Sequence, residues 1–372
     1  MKTIAFYLPQ FHETPENNKW WGKGFTEWTN MKKAKPLFEG HYQPRVPLNK
    51  NYYDLSNPNT IRWQAELAKE NGIYGFCLYH YWFNGKLLLQ KPVELLRDNK
   101  DIDIHYCLCW ANENWTNGWV SDKANILIEH NFNDRSDWKK HIDYFLSFFN
   151  DDRYIKIDGK PVLVIYYPSL IGPLKETLDF WNNEAIKAGH KGITFLYQHP
   201  YFYYDKKSHK EYFDYGIEFE PTFSRMQEYK QCNAAIQNCK VKISTFLQTK
   251  LHIYIHLKKK ELVKFDYDRL WKCILSQELD DNLFPGAFVD WDNTPRKGKR
   301  GSLVLNADPQ KFKYYFKKLI RKTRDVCNKD YIFIFAWNEW AEGGYLEPDE
   351  KYKDGYLRSI KEALIEENEY PY

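Results

Sequence analysis

The sequence of 372 residues lacks several patterns that mark common classes of enzyme and binding protein. It contains no GxSxG elbow of a serine hydrolase, no GxGxxG dinucleotide loop and no phosphate-binding P-loop. No apolar run approaches the length of about 18 residues that a membrane span needs, and the net charge of +4 is small for this length. These absences argue against membrane insertion, nucleotide chemistry on a dinucleotide-binding fold and nucleic acid as a partner.

Cysteine is present but never in a CxxC pair, and the seven residues form an odd set. Several lie inside apolar runs, so we predict reduced, buried thiols rather than disulfides or metal ligands. The chain also enters a strand within its first residues, without the apolar core and cleavage site of a signal peptide, and we therefore expect a cytoplasmic protein. The cysteines are Cys77, Cys107, Cys109, Cys232, Cys239, Cys273 and Cys327.

Aromatic residues, in contrast, are abundant. They make up 18% of the chain, with 14 Trp and 29 Tyr. Flat aromatic faces suit the stacking of sugar rings, although most individual rings in a folded protein simply pack in its core. The composition therefore indicates a carbohydrate-facing cleft or, at the least, a bulky core.

Apolar runs of strand length alternate with helical patterns, which predicts a parallel sheet with crossover helices. We predict strands at Thr3–Leu8, Tyr74–His80, His105–Trp110, Val162–Tyr167, Thr194–His199, Gly216–Glu220, Ala287–Trp291 and Tyr331–Trp337. We predict helices at Asn59–Asn71, Ser136–Asn150 (capped by Ser136), Leu174–Ala188 and Pro309–Asp325. Eight such units predict an α/β fold, a single (β/α)8 TIM-type barrel over residues 1–372 with its active site at the C-terminal strand ends. A seven-stranded or open sheet is the alternative.

Two segments exceed what a minimal barrel needs. Pro9–Asn57 is a long first loop rich in aromatic residues, and we expect it to fold over the cleft. Arg225–Leu279 is a basic, partly helical insertion. Its stretch Lys250–Lys264, together with Arg296–Arg300, has the charge to contact an anionic membrane surface or a diphosphate lipid carrier. Solvated loops are the alternative.

The stretch that follows the last predicted strand carries two carboxylates in an aromatic setting. Glu339 and Glu342 stand three residues apart among tryptophans, and Gly343 and Gly344 follow. On a continuing strand the two glutamates would point to opposite faces, so they converge only if the strand ends near Glu339 and the chain bends. Paired carboxylates beside flat rings are what cleaving or forming a glycosidic bond requires. A strand end with two solvated glutamates is the alternative.

Polar and aromatic residues also follow nearly every other predicted strand, where a barrel collects them around one mouth. Their repeated placement resembles a network for sugar hydroxyls, although each one alone could be a satisfied structural residue. The predicted substrate-binding residues are Tyr7, Trp28, Tyr79, His80, Tyr81, Trp110, Asn112, Glu113, Trp115, Tyr166, His199, Glu218, Glu220, Asp290, Asp292, Arg296, Trp337, Asn338 and Trp340.

The acidic residues among these candidates have the chemistry to hold a divalent cation. No Asp-rich calcium loop accompanies them, and no CxxC pair supplies a zinc site. We therefore expect neither a metal nor another cofactor.

Six motifs occur in the order of a known family. They are Tyr7–His12 (YLPQFH), Gly24–Trp28 (GFTEW), Tyr79–Phe83 (YHYWF), Trp110–Trp115 (WANENW), Trp291–Arg296 (WDNTPR) and Trp337–Gly343 (WNEWAEG). From Thr3 to Pro348 this pattern resembles the WbsX family, which is labelled as glycosyltransferases and occurs in loci that build bacterial surface polysaccharides. That family is similar in turn to family 99 glycoside hydrolases, the endo-α-mannosidase and endo-α-mannanase group, which are (β/α)8 barrels. The second likeness rests mainly on the NEWxEG pattern at 338–343.

The likeness to family 99 implies a mechanism. In those hydrolases the first glutamate assists deprotonation of the substrate 2-hydroxyl, which attacks its own anomeric carbon to give a 1,2-anhydro sugar. The second glutamate protonates the leaving oxygen and later activates water. Carried over, Glu339 is the base and Glu342 the acid/base, a role that requires a neutral Glu342 at the working pH. Ala341 stands where those hydrolases carry a bulkier histidine, so the resemblance does not extend to an α-mannoside preference.

Three functions are compatible with these observations. The first is a retaining glycoside hydrolase or transglycosidase that acts on an oligosaccharide, a polysaccharide or a lipid-linked glycan. The second is a sugar-nucleotide-dependent glycosyltransferase of polysaccharide biosynthesis, which the family label favours and the predicted barrel disfavours. The third is a non-catalytic sugar-binding barrel. The sequence does not indicate the sugar, the linkage or the oligomeric state.

Overall fold

The computed structural model of the protein describes residues 1–116, 125–199, 210–228 and 262–371. Its first strand, with the sequence KTIAFY, shows why the apolar runs form strands: five of its six residues are buried, as expected where both faces of a parallel sheet are covered. The strands of the barrel are β1 (Lys2–Tyr7), β2 (Ile73–Phe83), β3 (His105–Trp110), β4 (Lys160–Ile165), β5 (Thr194–His199), β6 (Tyr215–Glu218), β7 (Leu283–Phe284), β8 (Gly286–Phe288) and β9 (Tyr331–Phe335).

These segments form one parallel barrel. Each strand from β1 to β6 pairs with the next one along the chain, β6 pairs with β7, β8 pairs with β9, and β9 returns to β1. The first pairing register is Lys2 opposite Tyr331. The prediction of an α/β barrel is therefore confirmed, and the C-terminal strand ends meet at one mouth.

The seventh barrel strand differs from the prediction because Pro285 divides it into β7 and β8. Proline has no N–H to donate, but its carbonyl accepts from the Phe333 N–H at 3.0 Å and so keeps the barrel closed. Gly286 is required by close approach, since a Cβ there would lie 1.8 Å from the Glu218 carbonyl oxygen. The strand thus begins before the predicted Ala287–Trp291 and ends at Phe288.

The barrel interior is filled by aromatic rings. The ring of Phe6 lies 5.8 Å from that of Tyr79 and 5.3 Å from that of Phe219, and Phe219 lies 5.5 Å from Phe335. Rings packed edge to face at these distances attract one another beyond their burial. Much of the aromatic content therefore serves the core, as one of the two predicted interpretations stated.

Helices cover the outside of the barrel and its mouth. They are α1 (Pro15–Trp21), α2 (Glu27–Lys33), α3 (Pro58–Glu70), α4 (Lys91–Asp98), α5 (Arg135–Phe149), α6 (Leu174–Lys187), α7 (Tyr267–Ser276), α8 (Pro309–Arg321) and α9 (Gly355–Glu366). The four predicted helices are confirmed as α3, α5, α6 and α8, and a π-helical turn, Lys322–Val326, continues α8. Helix α5 is capped by Asp134, whose carboxylate accepts from the Ser136 N–H at 2.9 Å, and not by Ser136 as predicted.

Shorter elements surround the mouth. The predicted first loop contains α1, α2 and a 3₁₀ turn, and it reaches the strand ends, as described below. Of the basic insertion, 229–261 lies outside the described residues, and this includes most of Lys250–Lys264. The remaining short segments are Lys86–Leu88, Trp115–Thr116, Ile126–Ile128, Lys156–Ile157, Pro168–Leu170, Lys210–Tyr212, Val263–Asp266, Thr294–Lys297, Gly298–Arg300 and Ser302–Leu305.

Candidate active site

The chain turns sharply after β9 and carries both glutamates of the NEWxEG pattern through the turn. Asn338–Glu339 pairs antiparallel with Gly344–Tyr345, and Trp340–Glu342 forms a 3₁₀ turn between them. Gly343 has φ 70°, and a Cβ there would lie 2.7 Å from the Asp292 backbone nitrogen. The strand therefore ends before Glu339 and the chain bends at the glycine, as the sequence predicted.

One guanidinium joins the two acids. Arg296 Nη1 donates to Glu342 Oε1 at 2.8 Å, and Arg296 Nη2 lies 3.3 Å from Glu339 Oε2. A third carboxylate, Glu27 of α2, accepts from Arg296 Nε at 2.7 Å. The Arg296 side chain is 5% exposed, Glu339 7% and Glu27 1%, while Glu342 retains 21% exposure. We call these four residues the Arg296 centre.

The electrostatics of the Arg296 centre follow from its burial and its charge ratio. Burial raises the pKa of Glu339 to about 8, with added repulsion from Glu342 and Glu27 and an opposing effect from Arg296. One cation cannot neutralise three carboxylates, so the site favours a proton on one of them. The raised pKa of Glu339 identifies it as that group. The Arg296 pKa is itself raised far beyond the neutral range, where burial opposes and the three carboxylates favour the charge.

Two tyrosines of β2 face this centre. Burial, with a further contribution from the Glu339 charge, raises the pKa of both Tyr79 and Tyr81. Their spacing of two residues places them on one face of the strand. The Tyr166 ring lies 6.0 Å from that of Tyr79. The structure therefore brings these three predicted residues to the interior side of the mouth.

The alternate residue of β2 points the other way. His80 Nε2 lies 2.8 Å from His141 Nε2 of α5, and His80 is 2% exposed. Burial lowers the pKa of both imidazoles. Trp110 also packs against His141, at 4.8 Å between ring centroids. His80 and Trp110 therefore lie between the barrel and α5, and the structure does not bring them to the Arg296 centre.

Glu218 and Glu220 are likewise separated from the centre. Glu220 Oε2 accepts from the Ser224 hydroxyl at 2.6 Å, and burial raises the Glu220 pKa to about 7. The charges of both carboxylates favour a higher pKa for Lys322 and Cys273, and these two residues belong to the helical layer outside the barrel. Phe219, between them, fills the barrel interior, so alternation turns its two neighbours outward.

Asp290 and Asp292 anchor the first loop. Asp290 Oδ2 pairs with Arg45 Nη2 at 2.8 Å, and Asp292 Oδ2 accepts from His41 Nε2 at 2.8 Å and Gln43 Nε2 at 2.7 Å. His41 Nδ1 accepts from a backbone N–H, so its proton lies on Nε2. The first loop therefore reaches over the strand ends, as expected, and is held there by buried charge.

This anchor also holds the backbone that bears Glu342. The Asp292 N–H donates to the Glu342 carbonyl at 2.6 Å, and Arg45 Nη1 donates to the Gly343 carbonyl at 3.1 Å. Sequence reasoning did not identify Arg45. The signal available was the alternation of His41, Gln43 and Arg45, three polar residues at every second position of the loop.

Several predicted residues serve the frame around the centre. Tyr7 donates from its hydroxyl to Gln64 Oε1 at 2.7 Å, and Trp28 Nε1 donates to the Tyr53 carbonyl at 2.8 Å. Asn112 exchanges two hydrogen bonds with the Tyr167 backbone, of 2.7 and 2.8 Å. These side chains are buried, and their polar groups are satisfied by the protein itself.

The rim also carries Glu113 and Trp115, which lie beside α1 of the first loop. Desolvation raises the Glu113 pKa to about 7, and Lys297 opposes this shift. The half-buried Trp115 ring lies edge-on to Tyr81 at 5.2 Å and to Trp20 at 5.5 Å. This places an aromatic wall beside the Arg296 centre. His199 ends β5, and its side chain lies outside the described part of the chain.

Asn338, Trp337 and Trp340 flank Glu339 and are fully buried. Trp340 stacks on Tyr345 at 3.7 Å, and its indole N–H donates to Glu347 Oε2 at 2.6 Å. Burial raises the Glu347 pKa to about 7, while its hydrogen bonds oppose this shift. Sequence reasoning missed Glu347, because a glutamate that follows the motif gives no local sign of burial.

Metal ligands and cysteines can be assessed only within the described residues. There, no group of three or more His, Cys, Asp or Glu side chains is arranged to hold a metal ion. His252 and His256 have the HxxxH spacing of zinc ligands but lie outside those ranges. Cys77, Cys107 and Cys109 are buried free thiols, whereas Cys273 and Cys327 are half-buried, which corrects the expectation of full burial. Cys232 and Cys239 are not described.

The described helices also bear on membrane insertion. None of them combines the length and the apolar character needed to cross a bilayer. The cytoplasmic location and the single-domain organisation stay predictions.

Two solved structures share the fold of this chain over most of their length. The GH99 endo-α-mannosidase from Bacteroides thetaiotaomicron is similar with a TM-score of 0.52 and 15% sequence identity, covering 98% of this chain and 97% of that one. A protein described as glycoside hydrolase-like is similar with a TM-score of 0.56 and 12% identity, over 97% and 93% of the two chains. Identities this low show the fold alone, which is the TIM-type barrel.

The family model that matches this chain is described as a glycosyltransferase, and the fold is shared with the GH99 enzyme above. The chain belongs to the WbsX family, since the model of glycosyltransferase WbsX matches residues 3–360. The uncharacterized protein WxcX of Xanthomonas campestris pv. campestris strain B100 is 33% identical over 373 residues, which cover 97% of this chain and 49% of that protein. WxcX of strain ATCC 33913 is 33% identical over 366 residues with the same coverage. The chain thus spans about half the length of these curated relatives.

Proposed function

We propose that the protein is a retaining glycoside hydrolase or transglycosidase whose catalytic residues are Glu339 and Glu342. The observation that carries this proposal is the Arg296 centre, in which one buried guanidinium contacts both carboxylates at the mouth of a barrel. A retaining mechanism needs two acids that face one sugar and differ in their affinity for protons. Burial raises the pKa of Glu339 and so opposes its role as the base, while Arg296 favours its carboxylate form. The assignment of the two roles is therefore tested with the variants described below.

The neighbouring-group route assigns the steps. Glu339 takes the proton of the substrate 2-hydroxyl, that oxygen attacks the anomeric carbon, and Glu342 gives a proton to the leaving oxygen. A 1,2-anhydro sugar results. Glu342 then takes a proton from the water or acceptor hydroxyl whose oxygen attacks the anomeric carbon, the C1–O2 bond breaks, and Glu339 returns its proton to O2. Arg296 favours the carboxylate form of Glu339, the form that can accept this proton. The rings of Tyr79, Tyr81 and Trp115 line the space in which the sugar binds.

The substrate we propose is an oligosaccharide, polysaccharide or lipid-linked glycan of bacterial surface polysaccharide metabolism. This follows from the family to which the chain belongs and from the aromatic wall beside the centre. We do not extend the mannoside preference of the GH99 enzyme to this protein. Ala341 lies within the turn beside both acids, where the resemblance to family 99 implies a bulkier histidine.

A sugar-nucleotide-dependent transferase is the second candidate, favoured by the family description. Such enzymes hold a metal–diphosphate on an Asp-x-Asp triplet, and three stretches have this pattern, at 101–103, 266–268 and 290–292. The first two pair with Arg62, Lys69 and Lys311, and the third, Asp290-Trp291-Asp292, follows β8 at the mouth. However, these two carboxylates already engage Arg45, His41 and Gln43, and both are buried. The triplet is therefore committed to the first loop, which disfavours the second candidate.

One experiment separates these functions from a non-catalytic sugar-binding barrel. The protein is incubated with α-linked oligosaccharides and, separately, with sugar nucleotides plus an acceptor, each with and without EDTA. Cleavage that is independent of metal and falls by about 10²–10⁴-fold in Glu342→Gln and Glu339→Gln supports the proposal. Transfer that requires a nucleotide supports the second candidate, and binding without turnover supports the third.

The two glutamates can also be told apart. An aryl glycoside with an acidic phenol needs little protonation of its leaving group, so Glu342→Gln should retain far more activity on it than on a natural glycan. Glu339→Gln should gain no such advantage. If both variants stay within a few-fold of the wild type on every substrate, the proposal is wrong.

A further inference from the structure

Glu347 is a buried carboxylate that the proposed chemistry does not use. It is 3% exposed and follows the 3₁₀ turn Trp340–Glu342, which we call the catalytic turn. Trp340 Nε1 donates to its Oε2 at 2.6 Å, and the Tyr53 hydroxyl donates to the same oxygen at 2.8 Å. Gln64 Nε2 donates to its Oε1 at 2.6 Å. Three neutral donors from three separate elements thus converge on one carboxylate.

Gln64 and Trp340, two of these donors, are each oriented by a further partner. The Tyr7 hydroxyl of β1 donates to Gln64 Oε1 at 2.7 Å, so the Gln64 amide must turn its NH2 group to Glu347. Trp340 is stacked on Tyr345 at 3.7 Å. Glu347 therefore joins α3, the first loop and the catalytic turn in one buried network.

This network fixes Glu339 from both sides. The residue before it, Asn338, accepts from the Leu8 N–H at 2.7 Å and donates to the Leu8 carbonyl at 3.0 Å. The residue after it, Trp340, is tied to Glu347. The backbone on either side of Glu339 is thus anchored, once to β1 and once to the Glu347 carboxylate.

We propose that Glu347 is a positioning residue that aims Glu339 by accepting the Trp340 indole N–H, and that it acts through hydrogen-bond geometry rather than through its charge. Misplacement of a reacting group by about 1 Å costs up to about a hundredfold in rate. The inference rests on the proposed function for its kinetic readout only.

The chain offers a test by exchange. In Glu347→Gln, the new NH2 faces the Gln64 NH2, and a rotation of Gln64 relieves this contact only by leaving the Tyr7 hydroxyl proton without an acceptor. In the double variant Glu347→Gln with Gln64→Glu, the amide oxygen at 347 accepts from Trp340 and Tyr53. Its NH2 donates to the carboxylate at 64, whose other oxygen accepts from Tyr7. Every hydrogen bond is restored, while the charge moves to α3.

We expect kcat of Glu347→Gln to fall by about tenfold or more, with KM within about threefold of the wild type. The double variant should recover to within a few-fold, and neither variant should shift the pH–rate profile. Gln64→Glu alone sets two carboxylates face to face and should be the most impaired. Trp340→Phe keeps the stacked ring but removes the donor, so it should match Glu347→Gln in kcat even if that variant folds poorly.

Three results would overturn the inference. They are wild-type kcat in Glu347→Gln, a folded double variant that does not recover, and a limb of the pH profile that disappears with Glu347. If the wild type cleaves no glycan, the proposed function fails, and the inference is then judged by the Trp340 indole N–H resonance in ¹H–¹⁵N spectra. That resonance, assigned with Trp340→Phe, should exchange slowly in the wild type and the double variant and faster in Glu347→Gln.

Discussion

The Arg296 centre and the His80–His141 pair are both clusters of polar residues at the strand ends, yet they lie on opposite sides of the barrel wall. In the first, Glu27, Glu339 and Glu342 meet one guanidinium at the mouth. In the second, two imidazoles meet between β2 and α5, with their ring nitrogens 2.8 Å apart. The same sequence signal, polar residues after an apolar run, predicted a role in substrate binding for members of both clusters.

Side chains on a strand alternate between its two faces, and this alternation, which we call strand parity, decides which polar residues reach the mouth. Tyr79 and Tyr81 face the Arg296 centre, whereas His80, between them, faces the helical layer. The charges differ accordingly. The centre keeps a guanidinium and three carboxylates, of which only Glu342 is partly exposed, while burial lowers the pKa of both histidines and leaves them neutral.

Replacing Arg296 should have the largest effect among tests of this comparison. Arg296→Lys keeps a positive charge but loses the fork that contacts three carboxylates at once. We expect kcat/KM to fall by about 10²–10³-fold, in the range found when one preorganised donor is removed. Steady-state kinetics on the glycan, with circular dichroism to verify folding, measures the effect. A loss of only a few-fold would mean that Arg296 is a structural cation.

A pH profile tests Glu339 next. Its pKa of about 8 predicts an ionisation near pH 8 in the profile of kcat/KM for the free enzyme, and Glu339→Gln should abolish it. A profile without an ionisation near pH 8, or one that Glu339→Gln leaves unchanged, would mean that Glu339 does not transfer a proton in the reaction.

The same pKa has a consequence for stability. A carboxyl group whose folded pKa lies above its unfolded value binds more protons in the native state, so stability declines as the pH rises from the ordinary carboxyl range to about 8. Glu339→Gln removes this decline. Its melting temperature should exceed that of the wild type at pH 8 by more than it does at pH 5.

Most of the barrel could be predicted because its signals are local. Strands β3 and β5 have the predicted bounds, and the others in which an apolar run is unbroken are offset by a few residues at most. The predicted bounds of the seventh strand were wrong, because Pro285 and Gly286 are accommodated by contacts with Phe333 and Glu218, which are distant in sequence.

The candidate site divides in the same way. The bend that brings Glu339 and Glu342 together was predictable, since Gly343 lies beside them in the sequence. Their shared partner, Arg296, was among the predicted site residues. Glu27, Arg45 and Glu347 were not, because each acts through a contact between distant segments of the chain. The sequence also did not reveal whether His80 faces the inside or the outside of the barrel, since both faces of a barrel strand are apolar.

Arg45 tests the anchor between the first loop and the mouth, and a smaller effect on activity is expected there. Arg45→Met leaves Asp290 and Asp292 as buried charges without their cation, which costs about 3–5 kcal/mol of unfolding free energy. The folded fraction should lose about tenfold in kcat, because the Gly343 carbonyl loses its donor. Arg62→Met, which breaks the exposed pair with Asp101, is the matched control and should cost less than about 1 kcal/mol.

The smallest effect on activity should come from the outer cluster. His80→Gln removes one partner of a buried hydrogen bond and should lower the unfolding free energy by about 1–3 kcal/mol, as measured by urea denaturation. Its kcat and KM should nevertheless stay within about twofold of the wild type, because the wall of the barrel separates His80 from the sugar. Glu220→Gln, another buried group of the outer side, should behave alike. A tenfold loss of kcat in either folded variant would show that the mouth extends through this wall, and the comparison drawn from strand parity would fail.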